Sequence, residues 1–166
     1  MIFVTTGHKE FDRLIKKMDF IAKHINREVV MQIGYKPIYF PQNGEYYQFI
    51  QRKEYDVYFQ NAELIISHCS IGVLLKGQKY HKPIIMVPRQ HALNELVDDH
   101  QLDFAQMIKS KNLHGITVVF EMDDLEEAIS NLHNFDNVPQ KQQEPVKLIK
   151  TIRNFVRSCD KNEPRT

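Results

Sequence analysis

Residues 64–89 read LIISHCSIGVLLKGQKYHKPIIMVPR, and this stretch decides the fold. It opens on a short apolar run, residues 64–66, which has the length and composition of a buried strand. Residues 72–80 follow with the character of a helix, and a second apolar run, residues 84–87, ends at Pro88. Parallel strands need a crossover connection of this length, which is usually a helix. The stretch therefore predicts part of a parallel sheet covered by helices.

The same alternation continues on both sides of this unit. Further strands are predicted at residues 2–5, 29–33 and 116–120, with a short one at 47–50 after a loop that contains proline and glycine. Helices are predicted at residues 10–25, 54–60 and 96–111, and a short helix is predicted to begin at Met122. Runs in this order are typical of a doubly wound α/β domain, in which ligands bind where the strands end.

The expected organisation along the chain has one folded domain and three smaller segments. Residues 1–132 form the α/β domain, and the polar residues 133–145 are read as a linker. Residues 146–158 carry an amphipathic helix, whose apolar stripe could dock a partner or pack on the domain's own core; the pattern leaves both open. The charged residues 159–166 are expected to be a disordered tail.

Composition excludes several classes of function. The 166 residues hold 22 basic and 21 acidic side chains, a net charge of +1, and this balance argues against nucleic-acid binding. The two cysteines, Cys69 and Cys159, have no metal-ligand spacing, so neither a metal site nor a disulfide framework is expected. Since neither a signal peptide nor a run of about 20 apolar residues is recognisable, a cytoplasmic location is expected, with any membrane association made through a partner.

Two strand ends near the start and middle of the chain could bind an anion. Gly7 follows the first strand, where a glycine allows a close turn with its amides facing outward, although a plain tight turn is the more common reason for a lone glycine. His68, Ser70 and Gly72 lie between a strand and a helix, where small residues would let a diphosphate approach the helix amides. His68 could act as acid or base or orient a substrate, or could be a structural loop histidine. Nothing marks Cys69 as an activated nucleophile.

A third strand end carries polar side chains that suit a phosphorylated sugar. Arg89 could pair with phosphate through two parallel hydrogen bonds. Asp99, His100 and Gln101 could bind sugar hydroxyls, although a polar run before a helix usually serves capping and solvation. Residue chemistry alone therefore predicts an α/β domain with an anion-binding edge.

Five motifs resemble the C-terminal, donor-binding domain of inverting GT-B glycosyltransferases. They are residues 4–14 (VTTGHKEFDRL), 32–34 (QIG), 62–76 (AELIISHCSIGVLLK), 81–89 (HKPIIMVPR) and 95–105 (ELVDDHQLDFA). The resemblance is to the short, stand-alone versions of that domain. These are the PssE-like subunits of exopolysaccharide synthesis and the catalytic subunit of the lipid-linked UDP-N-acetylglucosamine transferase.

This resemblance implies a Rossmann-like domain that binds a UDP-sugar, with no tightly bound metal and no other cofactor. It implies a membrane-associated partner subunit that binds a lipid-linked saccharide as acceptor. The positions that it implies for donor binding are Gly7, His8, His68, Ser70, Gly72, Lys76, Arg89, Asp99, His100 and Gln101. The catalytic residue is not identified by the resemblance, and His68 is the best candidate.

Four positions depart from the family pattern in its most nucleotide-proximal part. Lys76 stands where a ribose-binding glutamate is expected, and Ser70 replaces a glycine. Val73 replaces a hydroxyl residue and His81 replaces a glycine. Two functions therefore follow from the resemblance: an active transferase subunit, or a non-catalytic subunit that scaffolds or regulates a transferase. A phosphate-binding module unrelated to sugar transfer is the third hypothesis.

Overall fold

A computed structural model of the protein describes residues 1–131 and 145–159, with side chains in the second segment described for residues 150–157. Six strands alternate with helices along the chain, except that no helix lies between the second and third strands. The strands are β1 (Ile2–Thr5), β2 (Val29–Gln32), β3 (Glu45–Tyr47), β4 (Leu64–His68), β5 (Ile84–Val87) and β6 (Ile116–Val118). The helices are α1 (Asp12–Ala22), α2 (Arg52–Asn61), α3 (Ile71–Tyr80), α4 (His100–Lys111), α5 (Leu125–Asn131) and α6 (Pro145–Cys159).

The strands form one parallel sheet in the order β3-β2-β1-β4-β5-β6. The order reverses between β1 and β4, which pair directly, with Thr5 opposite Ser67. A doubly wound sheet opens a crevice at this reversal, outside the carboxyl ends of its strands. The predicted single α/β domain is confirmed, and its topology fixes where a ligand is expected.

Two apolar clusters cover the two faces of the sheet. Val4 and Ile66 point into the cluster that includes α1 and α5, and Phe3 and Ile65 point into the cluster that includes α2, α3 and α4. Neighbouring residues of a strand face opposite sides, so a strand buried on both faces reads as an uninterrupted apolar run. This is the physical reason that residues 2–5, 64–66 and 84–87 are recognisable from sequence.

A loop replaces the helix that would normally connect β2 to β3. The carboxylate of Asp12 accepts hydrogen bonds from the backbone amides of Ile38 (3.2 Å) and Tyr39 (3.0 Å). Asp19 is buried and accepts from the amides of Gln42 (2.9 Å) and Asn43 (2.6 Å). The loop is therefore bound along α1 by two carboxylates of that helix, which satisfy amides that a crossover helix would satisfy internally.

Two predicted segments were misplaced. The short strand expected at residues 47–50 is Glu45–Tyr47, because Gly44, with a φ of 91°, ends the loop earlier and brings Glu45 opposite Val30. The helix expected from residue 96 begins at His100. The preceding segment turns back instead, since Glu95 accepts a hydrogen bond from the amide of Gln90 at 2.9 Å.

The C-terminal helix packs on the domain itself. It spans Pro145–Cys159, close to the expected 146–158. Ile152 is buried in the second apolar cluster, and the ring of Phe155 lies 5.5 Å from that of Phe104 on α4. Of the two uses left open for this helix, these side chains serve the domain's own core. Residues 133–144 of the predicted linker and residues 160–166 of the predicted tail lie outside the described residues.

Candidate functional site

Three predicted ligand-binding segments meet at the carboxyl edge of the sheet, where its strand order reverses. Nδ1 of His68, at the end of β4, lies 3.5 Å from the carbonyl oxygen of Thr5, at the end of β1. Arg89, just beyond β5, donates to the carbonyl of Thr6 at 2.8 Å. Gly7, His68 and Arg89 are therefore neighbours, as the parallel topology predicts for residues that follow adjacent strands.

Gly7 is required where it stands for two reasons. Its φ of 73° lies in the left-handed region, which residues other than glycine seldom adopt. A Cβ added there would lie 3.0 Å from Cε1 of His68. The turn is also anchored by Gln32, whose side-chain amide donates to the Gly7 carbonyl at 2.7 Å. No role was predicted for Gln32 from the sequence, although its place at the end of a predicted strand was a signal that could have indicated one.

His68 is a neutral imidazole at neutral pH. Burial, followed by the nearby charge of Arg89, lowers its pKa from 6.5 to about 4, against the opposing effect of the Thr5 carbonyl. Because a carbonyl oxygen can only accept a hydrogen bond, the proton is assigned to Nδ1, and Nε2 keeps its lone pair. At this edge His68 can therefore accept a proton or a hydrogen bond, but it does not supply a positive charge for phosphate.

The N-terminus of α3 faces the same edge with its first amides uncapped. Ser70 is the residue before the helix, and its hydroxyl makes no capping hydrogen bond. The first amides of an α-helix have no partner within the helix, and the helix dipole adds partial positive charge there. A Cβ placed on Gly72 would meet only the Ser70 hydroxyl, at 3.6 Å. These features suit the close approach of a phosphate group to the backbone.

Arg89 holds the loop between β1 and α1. Its side chain is 2% exposed, and it donates to the backbone carbonyls of Thr6 (2.8 Å), Lys9 (2.7 Å) and Glu10 (3.3 Å). Burial lowers its pKa to about 10, so it remains charged at neutral pH. Its guanidinium also lies 4.9 Å from the ring centroid of Phe11. Nε and Nη2 thus have all their hydrogens on these carbonyls and only Nη1 is left for a phosphate, so Arg89 does not stand open for the two parallel hydrogen bonds expected of it.

The side chain of Lys76 is directed toward α2. Its ammonium forms an ion pair with Asp56 and lies 4.5 Å from the ring centroid of Tyr55. The same ion pair, together with its hydrogen bond, lowers the pKa of Asp56. Lys76 is therefore occupied within the protein, and no freely extended cation stands at the position where the family has a glutamate. Asp56 was not predictable as the partner of Lys76, because it lies 20 positions away along the chain.

The polar residues before α4 have different environments. Oε1 of Gln101 accepts from the Arg89 amide at 3.1 Å, and Asp99 accepts from the His91 amide at 2.9 Å. The ring of His100 is 60% exposed, with Nδ1 3.6 Å from a carboxylate oxygen of Asp98. Gln101 and Asp99 thus shape the turn, and the side chains of Asp99 and His100 are both exposed to solvent.

His8 belongs to an exposed group of aromatic rings beyond β1, β2 and β3. Its ring lies 5.5 Å from that of Phe49 and 6.0 Å from that of Tyr35, and the last two rings are stacked at 5.2 Å. Phe49 and Tyr35 are 41% and 53% exposed. The three rings extend the crevice along the carboxyl edge with a surface on which a flat ring could stack. Periodicity did not predict this group, because its members come from three separate loops.

No cluster of three or more metal-ligating side chains occurs among the residues that the structure describes. Within the same residues, none of the helices is long and apolar enough to cross a bilayer.

A family model, the glycosyltransferase family 28 C-terminal domain, matches residues 1–162. The chain belongs to this family. Among curated proteins it is similar to the UDP-N-acetylglucosamine transferase subunit ALG13 of Candida albicans, with 30% identity over 77 residues. That match covers 46% of this chain and about a quarter (24%) of the relative.

Solved structures of transferases share the fold of this family member. The solution structure of ALG13 matches with a TM-score of 0.57 and 17% identity, over 87% of this chain and 91% of that one. MurG of Acinetobacter baumannii matches with a TM-score of 0.57 and 16% identity, over 80% of this chain but only 40% of MurG. A glycosyltransferase of kitacinnamycin matches with a TM-score of 0.60 and 15% identity, over 93% of this chain and 39% of that one. The family 28 domain here thus corresponds to less than half of the longer transferases.

Proposed function

We propose that this family 28 domain is the nucleotide-sugar-binding subunit of a two-component inverting glycosyltransferase. The observation that carries the proposal is the meeting of Gly7, His68 and the uncapped start of α3 at the point where the strand order reverses. A glycine turn, an unprotonated imidazole and free helix amides form a crevice suited to the diphosphate of a nucleotide sugar. Similarity to a UDP-N-acetylglucosamine transferase subunit favours a UDP-sugar as the donor.

The proposed chemistry is a single inverting displacement at the anomeric carbon. An acceptor hydroxyl attacks, its proton passes to a base, and the bond between the anomeric carbon and the diphosphate oxygen breaks. The amides at the start of α3 would stabilise the negative charge of the leaving UDP. Nε2 of His68 is the best candidate on this chain for the catalytic group. It is unprotonated at neutral pH and can accept a hydrogen bond from the attacking hydroxyl, whereas a pKa of about 4 makes it a weak base for the proton itself.

A partner is proposed to supply the acceptor site. The curated relative of this domain is named a transferase subunit, which favours an acceptor site contributed by a second subunit. We propose a membrane-associated partner that binds a lipid-linked saccharide at the cytoplasmic face, with exopolysaccharide synthesis as the process served. His100 and Gln101 would contact the donor sugar in that complex.

The ion pair of Lys76 with Asp56 favours a second candidate, a non-catalytic subunit that scaffolds or regulates a transferase. Resemblance to the family implies a carboxylate for the ribose hydroxyls at position 76, and here the lysine is bound to α2 instead. A subunit without that carboxylate could keep the fold and the partner surface while losing nucleotide affinity.

Calorimetry with UDP, with ADP and with inorganic phosphate separates the hypotheses. The donor-binding function predicts micromolar affinity for UDP and weaker binding of ADP. The non-catalytic function predicts no UDP binding until Lys76→Glu restores a carboxylate, and equal binding of all three would indicate a general phosphate module. In the co-expressed complex, full sugar transfer by a His100→Ala, Gln101→Ala double variant would exclude the proposed sugar contacts.

A further inference from the structure

The outer surface of α1 and of the loop bound along it combines exposed apolar side chains with lysines. We refer to it as the α1–loop face. Its apolar members are Phe20 on the helix and Ile38 and Phe40 on the loop, which are 55%, 88% and 44% exposed. Its lysines are Lys16, Lys23 and Lys36, all exposed.

Contacts between the helix and the loop place these side chains on one continuous surface. Asp12, at the start of α1, holds the amide of Ile38 at 3.2 Å. The ammonium of Lys16 lies 5.6 Å from the ring centroid of Tyr39, the residue after Ile38. Lys16 is also one helical turn from Phe20, so the two lie on the same side of the helix. Lys16 therefore connects the exposed apolar residues of the helix with those of the loop.

The loop presents its apolar residues from a fixed position. Asp12 and Asp19 together accept hydrogen bonds from four backbone amides between residues 38 and 43. Hydrogen bonds to a charged acceptor are stronger than neutral ones. Ile38 is 88% exposed to solvent although its segment is held at both ends, and no side chain in the described part of the chain covers it.

The lysines of this face carry positive charges that are not paired with a described carboxylate. Lys16, Lys23 and Lys36 form no ion pair with any described residue. Two carboxylates of α1, Asp12 and Asp19, are engaged by the loop amides. The face ends on one side at the acidic turn Met122–Asp124, where Asp123 lies 3.6 Å from Lys17. Between that turn and the loop, the surface offers ammonium groups around isolated apolar side chains.

We propose that the α1–loop face docks on an anionic lipid surface. Phe20, Ile38 and Phe40 would enter the headgroup region, and the lysines would lie against lipid phosphates. A protein groove would have to place a carboxylate opposite each ammonium, whereas a fluid anionic bilayer offers negative charge at every position. The inference goes beyond the proposed function, because the chain itself would touch the bilayer, whether or not it binds a partner or UDP.

The test is co-sedimentation of the full chain with vesicles of phosphatidylglycerol and phosphatidylcholine in equal amounts, and with vesicles of phosphatidylcholine alone. We expect binding to the anionic vesicles, weaker binding in high salt and little binding to the neutral ones. Each lysine near such a surface contributes about a fivefold factor in partitioning, so Lys16→Glu, Lys23→Glu, Lys36→Glu together should reduce it at least about 100-fold. Phe20→Ser with Ile38→Ser should also reduce it.

A matched control lies on α2, α3 and α4, on the opposite face of the sheet. Lys53→Glu, Lys79→Glu and Lys111→Glu with Val57→Ser reverse three exposed lysines and change one apolar residue that is 55% exposed, and this variant should bind vesicles far better than the α1–loop variants. Thermal unfolding and UDP calorimetry on every variant separate loss of folding or of the donor site from loss of lipid binding. The proposal is overturned if the original chain does not co-sediment with anionic vesicles, or if the α1–loop variants bind them as well as the control does. It is equally overturned if those variants release only a protein partner.

Discussion

Gly72→Ala separates the needs of the fold from those of the proposed ligand. Within the protein the added methyl would meet only the Ser70 hydroxyl at 3.6 Å, an ordinary contact. Alanine is up to about 1 kcal/mol more favourable than glycine in a helix interior, and the gain is smaller in the first turn. The free energy of unfolding should therefore stay equal or rise by a few tenths of a kcal/mol.

Ligand binding should respond in the opposite direction. If a diphosphate packs against the first amides of α3, the methyl would occupy space that the phosphate needs, and we expect UDP affinity to fall at least tenfold, about 1.4 kcal/mol. Urea unfolding and UDP calorimetry on the same protein measure the two effects. Unchanged UDP affinity in a variant of full stability would refute the placement of the diphosphate at α3.

Four further outcomes follow from the contacts described above. Gly77→Ala, in the same helix, would place a Cβ 2.1 Å from Cδ1 of Ile84, so urea unfolding should show a free energy of unfolding lower by about 1–3 kcal/mol. An unchanged unfolding midpoint would contradict this packing. The pKa of His68 is about 4 in the folded chain and 6.5 when unfolded, so protonation favours the unfolded chain as pH falls below 6.5. The free energy of unfolding should drop by about 2 kcal/mol at pH 5 for this reason, and His68→Gln should remove that part of the pH dependence. Arg89→Lys keeps the charge but loses the geometry that serves three carbonyls, so denaturant unfolding should show a free energy of unfolding lower by about 2–4 kcal/mol. A stable variant that loses only UDP binding would instead indicate a phosphate-binding role for Arg89. Asp19→Ala should release the loop after β2, seen as faster amide hydrogen exchange at Gln42 and Asn43, while exchange as slow as in the original chain would show that the loop is held by other contacts.

Much of the fold was predictable because its signals are local. The apolar runs of β1, β4 and β5 record burial on both faces of a sheet, and their order along the chain implies parallel pairing. The segment before α4 was less predictable. Its apolar spacing continues past Glu95, but the Glu95 carboxylate accepts hydrogen bonds from the Gln90 amide and the Arg13 guanidinium, and the chain turns back before the helix begins.

The candidate site was only partly predictable, because some of its residues carry a local signal and others are brought together only by the fold. Gly7 and His68 were identified because each lies at or just beyond the carboxyl end of a strand, and the topology alone brings such residues together. The aromatic group of His8, Tyr35 and Phe49 comes from three loops, and no single stretch of sequence encodes it.

The sequence by itself determined the family, the parallel sheet and the edge at which a ligand is expected, because strand burial and turn glycines are properties of short segments. Only the tertiary structure decided what the charged residues of that edge do. Arg89 bonds a carbonyl 83 positions away and supports a loop, and Lys76 pairs with Asp56 on another helix. A long, charged side chain can reach several partners, and the one it takes depends on which backbone and carboxylate groups the fold brings within hydrogen-bonding distance.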